Sequence, residues 1–168
     1  TTHTSRPAQR VALVTGGARG IGKGVAAQLI AEGFAVVIAD VRGDAAQETA
    51  REFGAAGARA AFAVADVTDP VTCASAVQTT LDAFGRIDVL VNSAGISAPK
   101  DSLEVTPEEW RRMIDIQLNG AFFTAQAAGR AFVAQGQGGS IVHISSINAE
   151  AAFPRRTAYA SAKAGVAM

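Results

Sequence analysis

A chain of 168 residues, 49% apolar and 18% charged, has the size and composition of one domain with a real core. Its fifteen basic and fifteen acidic residues cancel, and neither sign gathers into a block, so the electrostatic footprint of a nucleic-acid or anionic-membrane binder is excluded. Cys73 stands alone, which excludes an intrachain disulfide, and with only His3 and His143 no cluster has zinc-ligand spacing, so no metal site is expected.

The opening TTHTSRPAQR is polar, without the apolar middle of a signal peptide, and reads as a loose arm over 1–9 ahead of a domain over 10–168. No run reaches the roughly 18 apolar residues of a membrane span. The nearest, VAAQLIAEGFAVVIAD, is broken by Glu32 and Gly33. The expectation is a soluble, cytoplasmic protein, and the start without Met suggests a trimmed or partial chain.

Short, nearly continuous runs rich in Val and Ile recur at 10–15, 35–40, 60–66, 87–92 and 140–145, as in strands covered on both faces of a parallel sheet. Between them, helical periodicity runs over about 20–32, 44–56, 70–84 and one long stretch from 106 to about 135. Strand and helix in steady alternation predict a doubly wound α/β fold, a parallel sheet with helices on both faces. Asp69-Pro70 and Thr106-Pro107 read as helix starts, and AQGQGGS at 134–140 as a glycine-rich stop. Phe122 and Phe123 are expected in the core, Trp110 with Met113 and Ile114 between helices, and His143 buried between Val142 and Ile144.

VTGGARGIGKG, residues 14–24, follows the first strand and opens the first helix. Glycines there let the backbone turn tightly against a pyrophosphate, whose charge rests on the free N–H groups of the helix start. Gly16, Gly20 and Gly22 are placed at that contact. The spacing is G-x-x-x-G-x-G and not the general G-x-G-x-x-G, so context matters: Asp40 ends the second strand, where an acid binds the adenosine ribose. The same stretch matches the phosphate loop G-x-x-x-x-G-K, but Gly24 stands where a Ser or Thr should hold magnesium. A carboxylate at Asp40 favours NAD(H) over NADP(H), while Arg19 and Arg42 leave NADP(H) possible.

Tyr159, the one tyrosine, stands four residues before Lys163. On a helix that spacing puts both side chains on one face. A free phenol is too weak an acid to exchange protons readily near neutrality, and an adjacent ammonium favours its anion, which suits a general acid–base.

TGGARGIG (15–22), Asp40, ADV (65–67), NSAG (92–95), ISS (144–146) and YASAK (159–163), in this order, resemble the short-chain dehydrogenase/reductase family, with a likeness to 3-oxoacyl-carrier-protein reductases and related alcohol or polyol dehydrogenases. The resemblance implies a Rossmann fold whose C-terminal part is missing here, a homotetramer or dimer, and a small alcohol or ketone substrate. It implies that Arg19 and Ile21 border the cofactor beside the glycines, that Asp66 and Val67 contact the adenine, and that Asn92, Ala94 and Gly95 line the cofactor side of the fourth strand. Ser146, Tyr159 and Lys163 become catalytic, with Tyr159 and Lys163 also holding the cofactor, while Ser145 faces away. Two departures stand out: Ser93 replaces a second Asn, and Gln117 occupies the place of a catalytic Asn, keeping an amide with one more methylene. The alternative is a non-catalytic dinucleotide-binding or oligomer-forming module of the same fold.

Overall fold

The computed structural model describes residues 9–168. The expected arm over 1–9 lies outside the described residues except for Gln9, whose Nε2 donates to Gly33 O at 2.9 Å. Chain order is β1 (Val11–Thr15), α1 (Gly20–Ala31), β2 (Ala35–Asp40), α2 (Gly43–Ala55), β3 (Ala60–Val64), α3 (Pro70–Phe84), β4 (Val89–Asn92), α4 (Pro107–Ile114), α5 (Gly120–Gln135), β5 (Ser140–His143) and α6 (Thr157–Ala167). All strands are parallel, in the order β3-β2-β1-β4-β5.

Alternation along the strands divides the core into two layers. Leu13, Val37 and Leu90 turn to one face, against Ala76 and Val77 of α3 and Ala128 and Phe132 of α5. Ala12, Val14, Val36 and Ile38 turn to the other, against Ala26 of α1 and Ala46 and Ala50 of α2. This is the doubly wound arrangement read from the alternation. The outer strands depart from it: Val64 is exposed, as is every residue of β5, because an edge strand has a neighbour on one side only. His143, expected to be buried, is therefore exposed on β5.

Thr106 starts α4 with a capping box, its side chain accepting from Glu109 N while Glu109 reaches back to Thr106 N, and Asp69 caps α3 by accepting from Val71 N. The helix expected over 106–135 is interrupted. A π-helical stretch, Asp115–Asn119, joins α4 to α5. The buried line runs through Met113, Gln117, Gly120, Thr124 and Ala128, the three- and four-residue steps of one helical face. Phe122 falls off that line and is 59% exposed, which corrects its core assignment; Phe123 is partly covered. Trp110 is also exposed, one turn short of the contact that Met113 makes with Ala158 and Ala162 of α6.

Candidate active site

The strand order reverses beside β1, so the connections after β1 and β4 leave in opposite directions and open a crevice at the carboxyl ends of the strands. A cleft of about 1040 Å³ lies there. Its floor is tied across the crevice by Thr15, whose Oγ1 accepts from Ser93 N at 3.2 Å and Ala94 N at 3.3 Å. Gly16 adopts φ +63°, and a Cβ on it would stand 2.7 Å from Ala94 Cα, so the two loops approach backbone to backbone. Arg19, Gly20, Ile21 and Gly22 continue the cleft wall along the start of α1. That start has no side-chain cap, which leaves its first N–H groups available to an anion.

At the end of β2, Asp40 is 7% exposed and lines the cleft. Its Oδ2 accepts from Ala18 N at 3.3 Å and its Oδ1 from Arg42 N at 3.1 Å, with Arg42 Nε at 3.5 Å. Three partners leave one of a carboxylate's roughly four acceptor positions free. Asp66 and Val67 lie on the same wall, and Asp66 Oδ1 also accepts from Thr68 N at 2.9 Å, closing a turn into α3. The rim is charged, with Arg111 and Arg112 on α4 and Asp115 at the start of the π-helical stretch, none of which the sequence had singled out.

Tyr159 and Lys163 reach the cleft from α6. Lys163 Nζ lies 5.8 Å from the Tyr159 ring centroid and donates to Ile144 O at 2.6 Å, so α6 is pinned to the end of β5. Lys163 is 7% exposed, and burial pushes its pKa below the usual lysine range. Ala94, Gly95 and Gln117 share the wall. Three sequence expectations place differently. Asn92 lies behind the wall: its Oδ1 accepts from Thr124 Oγ1 at 2.5 Å and its Nδ2 donates to Ala121 O at 3.1 Å, joining β4 to α5. Ser145, expected to face away, is on the cleft wall, and its Oγ donates to Lys163 O at 3.4 Å. Ser146 is not among the residues that line the cleft, and its Oγ accepts from Asn148 N at 3.2 Å and from Asn148 Nδ2 at 3.3 Å. Both bonds use its lone pairs, so its own hydrogen remains free to donate.

Asn92 Nδ2 also lies 3.2 Å from His143 Nδ1. The covered part of the His143 ring, with Lys163 behind it, holds its pKa below 6.5. The unfolded chain therefore binds this proton more readily, and stability falls as pH drops through about 6.5 towards the lower folded value. His143→Gln should flatten the decline in urea midpoint between about pH 7 and pH 5; parallel declines in both proteins would dismiss the effect. The Cys73 thiol is driven the other way, up to about 11, mainly by burial and then by Asp69 and Asp66, so it is no nucleophile near neutrality. Among the described residues no group of His, Cys, Asp and Glu could hold a metal ion, and no helix is long and apolar enough to cross a membrane.

The family model described as short chain dehydrogenase matches residues 10–168. The chain belongs to the short-chain dehydrogenase family. This short-chain dehydrogenase sequence is 40% identical to L-2,3-butanediol dehydrogenase of Corynebacterium glutamicum over 159 residues, 94% of the chain and 62% of that protein. It is 43% identical to trans-4-hydroxycyclohexanecarboxylate dehydrogenase of Sinomonas cyclohexanicum, over 97% of the chain and 64% of that protein. Among solved structures, carveol dehydrogenase from Mycobacterium avium in complex with NAD superposes with a TM-score of 0.88 at 32% identity, over 97% of this chain and 64% of that one. The short-chain dehydrogenase chain thus spans less than two thirds of the length of these relatives.

Proposed function

We propose that this chain carries the cofactor-binding and proton-transfer part of an NAD(P)(H)-dependent oxidoreductase that interconverts a secondary alcohol and a ketone. The observation behind this reading is that Tyr159 and Lys163 stand on the wall of the same cleft as the glycine turn. The cleft suits a dinucleotide: α1 begins uncapped, Gly16 lets the two loops close up behind it, and Asp40 keeps an acceptor free for a ribose hydroxyl.

When bound, the nicotinamide supplies or accepts the hydride. Tyr159 exchanges a proton with the substrate oxygen through its hydroxyl, acting as general acid for the ketone and general base for the alcohol. Lys163 keeps α6, and with it Tyr159, in place through its bond to Ile144 O. Ser146 donates its free hydrogen to the substrate oxygen. Gly16, Arg19, Gly20, Ile21 and Gly22 hold the pyrophosphate, Asp40 the ribose, Asp66 and Val67 the adenine, and Ala94 and Gly95 the inner half of the cofactor. The alcohol dehydrogenases among the relatives support a small hydroxylated substrate.

Asp40 sets the preference for NAD(H), because a 2′-phosphate beside its carboxylate meets like charge. In thermal-shift titrations of the full-length protein, NADH is expected to bind about tenfold or more tightly than NADPH. Asp40→Ser should bring the two together, with Arg42 released from its ion pair to meet the phosphate. Equal affinities in the unsubstituted protein would overturn the preference, and binding of neither would overturn the function.

A further inference from the structure

Ser146 lies beyond β5 and opens a single 3₁₀ turn, Ile147–Ala149. Its Oγ caps that turn by accepting from Asn148 N at 3.2 Å, while its O accepts from Ala149 N at 3.0 Å. A cap needs one side-chain bond of this kind. Ser146 has two, because Asn148 Nδ2 donates to the same Oγ at 3.3 Å. The amide gains little for itself: Asn148 Oδ1 is enclosed and has no hydrogen-bonding partner among the described residues. An amide oxygen kept from water without a partner is costly, and such a group calls for a reason beyond its own bonding.

The Ser146 hydroxyl supplies that reason. A serine hydroxyl has two lone pairs and one hydrogen. The backbone N–H and the amide N–H of Asn148 occupy both lone pairs, so the last bond the group can make is as a donor. We propose that Asn148 is a positioning residue for Ser146: its amide makes the serine an obligate hydrogen donor toward the substrate oxygen. This rests on the proposed function, in which Ser146 meets that oxygen. Negative charge develops there as hydride reaches a ketone, and a donor already oriented stabilises it without rearranging. With the amide reversed, Oδ1 would stand against Oγ, take the hydroxyl hydrogen and withhold it from the substrate.

The test uses Asn148→Asp, Ser146→Ala and the double variant in the full-length protein, with steady-state rates on a panel of ketones beside NADH titrations. Asn148→Asp keeps the side-chain shape but presents an acceptor to Oγ. It should lower kcat about 10²-fold, the scale of losing one oriented donor, with the KM for NADH within about threefold of the parent. In the Ser146→Ala background there is no hydroxyl to redirect, so the same substitution should lower kcat by no more than about threefold. An equal fall in both backgrounds would overturn the proposal, since Asn148 would then act otherwise than through Ser146. A folded Asn148→Asp variant with kcat within about threefold of the parent would overturn it too. Asn148→Ala covers the case in which the new carboxylate prevents folding: it frees one lone pair, and kcat should fall about threefold to tenfold only where Ser146 is present. A parent protein without dinucleotide-linked turnover would overturn the proposed function itself. The melting temperatures of Ser146→Ala, Asn148→Ala and their double would then judge the pairing, and strictly additive shifts would refute it.

Discussion

Tyr159→Phe is expected to lower dinucleotide-linked turnover of the full-length protein by about 10²- to 10⁴-fold, the range for removing a positioned general acid–base. The substitution deletes one hydroxyl and keeps the ring, which packs with Met113, Ala158 and Ala162 between α4 and α6. Lys163 keeps its bond to Ile144 O, so the helix stays pinned. Folding and NADH affinity should therefore remain close to those of the parent, and the loss should appear in kcat. Steady-state rates with a panel of alcohols and ketones, beside an NADH titration of the same preparation, separate the possibilities. A rate within tenfold of the parent would remove Tyr159 from the chemistry. A loss of NADH binding of the same size would make it a binding residue only.

The second large effect is expected at the start of α1. Gly22→Ala should cost about 1–3 kcal/mol of stability and most of the dinucleotide affinity, because the new Cβ has nowhere to go. It would lie 2.3 Å from Gly16 O, 2.8 Å from Gly16 C and 3.1 Å from Gly17 Cα, all backbone atoms of the turn itself. Relief requires the turn to open, which moves the N–H groups at the helix start. Gly24, two residues on, is the internal control: nothing stands within 4 Å of a Cβ there. Gly24→Ala should leave binding alone and, by its better helix propensity, raise stability by up to about 1 kcal/mol. Urea denaturation and NADH titration of both variants test this; equal behaviour at the two positions would refute a steric role for Gly22.

Much of this site was legible because its parts lie on elements with strong local signals. The five Val- and Ile-rich runs became the five parallel strands, and the glycine turn and Tyr159–Lys163 pair came to one cleft because parallel strands all end on the same side. The failures share a physical character. The π turn at Asp115–Asn119 is an inserted residue in a hydrogen-bond ladder, which composition does not announce, and Phe122 points outward because it stands two residues, about 200°, from both Gly120 and Thr124 of the buried line. Asn92, expected on the cofactor side of the fourth strand, turns inward to Thr124 instead. At the end of β5 adjacent residues diverge by half a turn, so Ser145 and Ser146 could be told apart only in three dimensions. Thr15 opens the TGGARGIG stretch, yet nothing local announces that its hydroxyl ties β1 to the loop after β4.

The bonds from Ser93 and Ala94 to Thr15 join residues 78 and 79 positions apart. Closing so long a loop is slow compared with forming a helix. On the ribosome the glycine turn is therefore synthesised early but acquires its opposite bank only once β4 has emerged and docked. A complete cleft is then a late event in the maturation of the chain.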